Sequence, residues 1–166
     1  MSHSERFTLK EGQVFGIPLR DGLEGYCLCL ISRRQPRGQL AMCYVFGPRL
    51  DELPSDLGGW EIPPPEDAVL TVSLSLLPAR GAGWVDLGQA NGFDRDKWKL
   101  TRAIIWGGGP GRSNVVVEYD DKNISKAIEY RPPLVDEPLD GYPIDGVNVP
   151  RVLASELNDL LPRRAY

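Results

Sequence analysis

The chain has 166 residues, the size of one ordinary domain, with 42% hydrophobic and 25% charged residues, which excludes a disordered chain and allows a sizeable core without disulfide staples. Its net charge of −4 argues against a general nucleic-acid binder, which needs cations to neutralise phosphates, and suits a basic partner better. Three clustered cysteines, a polar start from Met1 to Gln13 and no apolar run near the ~20 residues of a membrane span predict a cytoplasmic protein with reduced thiols and no place in a membrane.

With 18 glycines and 15 prolines, many short elements joined by turns are expected. Residues 1–11 read as a flexible tail and 12–166 as a single α+β domain. Gly12 to Leu19 is a short apolar strand, with Pro18 at an edge or a strand end. After the turn residues Arg20-Asp21-Gly22 come two more apolar strands, Tyr26 to Ile31 and Leu40 to Phe46, separated by Gln35-Pro36-Arg37-Gly38. Three strands with short turns make a meander, and its curling predicts a curved antiparallel sheet or a partly open SH3-like barrel. Gly47 to Asp67 is a connection dense in acids and prolines. Ala68 to Leu77 alternates, with Leu70, Val72, Leu74 and Leu76 on one face. Further strands are read at Trp84 to Leu87, Ala103 to Trp106, Val115 to Tyr119 and Ala127 to Tyr130. Asp136 to Asp145 is a second acidic stretch. Val149, Val152, Leu153, Leu157, Leu160 and Leu161 recur at three- and four-residue spacing, which predicts a C-terminal amphipathic helix between Pro150 and Pro162.

Little of this pattern suggests catalysis. His3 is the only histidine and falls in the tail, so no packed histidine base is expected. Cys27, Cys29 and Cys43 lack a fourth ligand and zinc-like spacing, and read as small buried hydrophobes; no metal and no cofactor are expected. The Gly107 to Arg112 loop leads into Val115-Val116-Val117, a strand, whereas a phosphate loop leads into a helix. The carboxylates lie in Pro-rich connections, where they read as a solvated surface or as a docking surface for a basic protein, and least readily as a catalytic pair. The partner-binding candidates are therefore Trp60, as an apolar anchor, with Asp51 and Asp56 in the first acidic stretch, and Asp136, Glu137, Asp140 and Asp145 in the second.

The string Gly12-Gln13-Val14-Phe15-Gly16-Ile17-Pro18-Leu19, a short turn and Gly25-Tyr26 resembles the opening of the immunity protein 26 family of bacterial polymorphic toxin systems. Gly83-Trp84-Val85-Asp86-Leu87-Gly88 resembles that family's second block. Gln13 departs from the pattern, which has an acidic residue there. The likeness covers the first third of the chain and, more weakly, its middle. It implies a non-enzymatic α+β protein of the bacterial cytoplasm that binds and neutralises a cognate toxin domain, and many such toxins are basic. Its rivals are a small-ligand or nucleic-acid binding module on an SH3-like barrel, for which Arg33, Arg34 and Arg37 are the basic cluster, and an enzyme using carboxylates.

Overall fold

The computed structural model describes residues 9–19, 24–75, 82–99, 101–105 and 113–139, together with residues 142, 157 and 161. The strands are β1 (Gln13–Pro18), β2 (Tyr26–Arg34), β3 (Leu40–Leu50), β4 (Leu70–Ser75), β5 (Val85–Gln89), β6 (Arg102–Ile105), β7 (Val115–Asp120) and β8 (Asn123–Arg131). They form two antiparallel sheets: a five-stranded one in the order β4-β3-β2-β1-β5 and a three-stranded one in the order β6-β7-β8.

This overturns the α+β expectation. Strands dominate the described residues, and no helix of seven residues or more occurs among them, so the described part of the chain is nearly all β. Two sheets stand where one curved sheet or a partly open SH3-like barrel was expected. The expected C-terminal amphipathic helix between Pro150 and Pro162 lies almost wholly outside the described residues. Of that stretch only Leu157 and Leu161 are among the described residues. Both are buried, and the Leu161 N–H donates to the Leu157 carbonyl at 2.9 Å, a bond of helical spacing.

The first three strands are apolar almost throughout because their sheet is covered on both faces, which removes the usual in–out alternation. One face carries Phe15, Ile17, Cys27, Cys29, Ile31, Cys43, Val45 and Val72, and Leu9, Trp84, Leu157 and Leu161 complete that core. The other carries Val14, Leu28, Leu30, Tyr44 and Phe46, and is covered by Leu57 and Trp98, with Leu53, Trp60, Ile62 and Phe93 packed against them. The acidic, proline-rich connection is thus a lid on the second face. Leu9, within the stretch read as a tail, is buried; residues 1–8 lie outside the described residues.

Two glycines of the family-like string have a steric reason. A Cβ on Gly16 would lie 2.4 Å from Leu53 Cδ2, so the absence of a side chain there lets the lid sit on β1. Gly25 has φ +96°, and a Cβ would lie 2.4 Å from the Leu50 carbonyl oxygen, so only glycine fits where β2 begins against the end of β3.

The two sheets are tied by charge. Arg33, at 2% exposure, donates from Nε to Asp121 Oδ1 at 2.7 Å across 88 positions of sequence, and from Nη1 to the Ser32 carbonyl at 2.8 Å. Arg95 donates to Asp121 Oδ2 and to Glu11 Oε2, the latter at 2.7 Å. Hydrogen bonds from Arg95 and Arg33 outweigh partial desolvation and hold the Asp121 carboxyl below its ordinary range.

Candidate functional site

The register of β2 and β3 opens a cleft at one end of the large sheet. Leu28 pairs with Phe46 and Tyr26 with Leu50, so the chain takes two steps on β2 against four on β3. The extra residues bow β3 outward, as an irregularity of this kind does. The space beside the bow is a cleft of about 560 Å³ whose walls include Leu28, Phe46, Leu50, Leu53 and Trp60, with Glu52 and Asp56 as its charged lining residues.

Local turns hold Trp60 over this floor. Asp56 Oδ1 accepts from the Gly58 N–H at 2.8 Å, and the Trp60 N–H donates to the Leu57 carbonyl at 3.1 Å. Leu57 is buried and anchors the turn. The Trp60 ring then meets Phe46 edge to face, with centroids 6.5 Å apart, and remains half-buried. Glu52 and Asp56 are exposed. A cleft with an aromatic and aliphatic floor, two carboxylates and no lining cation among the described residues suits a long cationic side chain: the stem packs on apolar atoms, the head meets the carboxylates, and the indole face adds a cation–π contact.

The structure therefore brings Trp60 and Asp56 of the sequence-based set to one place and adds Glu52. Asp51, also exposed, begins the same loop beside Glu52. The second acidic stretch lies elsewhere. Asp136 is exposed, and Asp140 and Asp145 are outside the described residues. Glu137 accepts from Arg131 Nη1 at 2.7 Å and again from Nη2, and also from the Leu134 N–H and the Tyr142 hydroxyl. The paired Arg131 guanidinium and then the Leu134 amide push its carboxyl down to about 2. A depressed folded-state pKa means that the clamp contributes stability above the ordinary value of 4.5 and loses that contribution as pH falls towards 2. A carboxyl-detected NMR titration of the folded protein is expected to place the Glu137 midpoint near 2, and a midpoint near 4.5 would show the clamp open in solution.

Other sequence candidates are held differently. Arg33 is sealed in the bridge between the sheets, Arg34 is half-buried and Arg37 exposed, so the basic run does not form one surface. Trp84 and Trp98 are both core residues, while Trp106 and the Gly107 to Arg112 loop lie outside the described residues. Cys27, Cys29 and Cys43 are buried with free thiols. Burial pushes Cys27 up to about 12 against the opposing pull of Arg49; a hydrogen bond with Cys43, then burial, raises Cys29. Neither is a thiolate at neutral pH. Among the described residues no group of three or more His, Cys, Asp and Glu side chains is placed to hold a metal ion, and no helix is long and apolar enough to cross a membrane.

Glu52, Phe46, Leu28 and Leu53 were missed as site residues. The acidic run hinted at Glu52, but the others read as ordinary strand and loop hydrophobes until pairing set them around one space. Compared with protein-family models, curated proteins and solved structures, the chain matches none.

Proposed function

We propose that this chain is a non-catalytic binding protein that grips a basic protein partner through the Trp60 cleft, and that the partner is the toxin domain which the resemblance to the immunity protein 26 family implies. The cleft carries the reading: an apolar floor closed by Trp60 and Phe46, with Glu52 and Asp56 as the charged lining residues among those described. Charge complementarity selects the occupant, a lysine or arginine side chain on a cationic surface, delivered to a protein of net charge −4. Asp51 and Asp56 extend the acidic rim. Asp136 is a second, outlying contact, and Glu137 is not assigned a partner role because its oxygens are engaged internally.

The test is co-expression and titration with the toxin domain encoded beside this gene. Trp60→Ala is expected to weaken binding by roughly 30-fold or more, the effect of losing an aromatic anchor worth about 2 kcal/mol. Reversing Glu52 and Asp56 to Lys is expected to slow association and to flatten its dependence on salt. Folded variants that bind as tightly as the parent would remove the cleft from the interface. A parent protein that neither binds nor protects would end the immunity reading itself.

A further inference from the structure

At the other end of β2 lies a second hollow, roughly 20 Å from the cleft at ~3.3 Å per strand residue. It measures about 330 Å³ and is lined by Lys10, Glu11, Arg34, Pro36 and Lys122. Its three cations come from three parts of the chain: the segment before β1, the last residue of β2, and the turn joining β7 to β8. The hollow therefore sits on the seam between the two sheets, beside the Arg33–Asp121–Arg95–Glu11 network.

The carboxylates nearby are already engaged. Glu11, the acid in the lining, is paired with Arg95 at 2.7 Å. Asp121, next to Lys122, holds Arg33 and Arg95. Asp120 accepts from the backbone N–H groups of Lys122 and Asn123, at 2.9 and 3.0 Å. Among the described residues, no carboxylate pairs with the side chains of Lys10, Arg34 or Lys122. Arg34 is nonetheless held in place, because its Nη1 donates to the Pro36 carbonyl at 3.1 Å. Three cations gathered in one hollow of an acidic protein repel each other unless a counter-anion joins them.

We propose that this hollow binds a phosphate-type oxyanion, with Lys10 and Lys122 as point charges and Arg34 as a planar donor. Among the described residues the lining has no aromatic ring on which a nucleobase would stack, so recognition is of the phosphate group alone, whether free or carried by a nucleotide. The size, at the lower end for ligand sites, suits one or two phosphate groups. A bound anion would also join the segment before β1, the end of β2 and the β7–β8 turn, and so stabilise the packing of one sheet on the other.

Calorimetry and thermal melts of the full chain with inorganic pyrophosphate, ADP, adenosine and matched chloride test this. Pyrophosphate is expected to bind and to raise the melting temperature, ADP to bind within about threefold of it, and adenosine not to bind, since stacking contributes nothing. Lys10→Gln with Lys122→Gln is expected to weaken pyrophosphate roughly tenfold or more without lowering the melting temperature in the absence of ligand. The same variant should bind the toxin partner like the parent, so this result and that of the Trp60 cleft are independent. No heat with millimolar pyrophosphate, a melting shift that chloride at equal ionic strength reproduces, or undiminished binding by the double variant would overturn the proposal. Tight ADP binding with weak pyrophosphate binding would overturn the recognition of phosphate alone.

Discussion

Replacing Trp98 by alanine is expected to lower stability by about 3–5 kcal/mol, the cost of deleting a buried large aromatic ring. Trp98 is 3% exposed and meets Tyr44 edge to face at 4.8 Å, Phe46 edge to face at 6.0 Å and Phe93 in a stacked arrangement at 6.4 Å. It is delivered by a short 3₁₀ turn, Arg95–Lys97, in which the Asp94 side chain accepts from the Asp96 N–H at 3.1 Å and the Trp98 N–H donates to the Arg95 carbonyl at 3.1 Å. No neighbouring side chain can refill so large a volume, so most of the loss persists after relaxation. Phe46 is shared with the cleft, which means that Trp98→Ala should also weaken partner binding, whereas Trp60→Ala should weaken binding with a much smaller change in stability. Denaturant melts at constant m decide it: a Trp98→Ala midpoint close to that of the parent would mean that the second face is not packed as described.

Leu157→Ala is expected to cost about 2–5 kcal/mol, a buried leucine's usual range. Leu157 is fully buried in the core of the first face, and Leu161 follows it into the same cluster. The attachment is specific. A Cβ on Gly47 would come within 3.1 Å of Leu161 Cδ2, and Arg49 Nη2 donates to the Leu161 carbonyl at 3.2 Å. Chain far from β3 in sequence is thus held on β3, and removing Leu157 opens a cavity in the core of the first face that the strands cannot collapse to fill. A variant that melts with the parent in denaturant would refute this packing.

Both predictions rest on residues whose burial the sequence signalled unequally. The apolar spacing of Leu157 and Leu161 marked two positions that are buried. Trp98 sits among Asp94, Arg95, Asp96, Lys97 and Lys99, and a polar neighbourhood of that kind says nothing about which single side chain turns inward. Trp60 has a similar neighbourhood and the opposite outcome, half-buried at the wall of an open cleft. Only the loops' path over Phe46 separates the two.

By itself the sequence determined the existence and order of the first three strands, because long apolar runs bounded by Gly, Pro and Asp can be satisfied only by a sheet covered on both faces. It also determined that Cys27 and Cys29, both within one strand, share a face, since strand side chains alternate with period two. The tertiary structure alone decided the rest: two sheets where one was expected, a lid made from the acidic connection, and a division of labour among arginines adjacent in sequence. Arg33 is sealed against Asp121, 88 positions away, while Arg34 faces a hollow built with Lys10 and Lys122. Local pattern states how much of each segment must leave water. Which distant segment supplies the cover, and which distant charge the partner, depends on pairings that become specific only when the whole chain has closed.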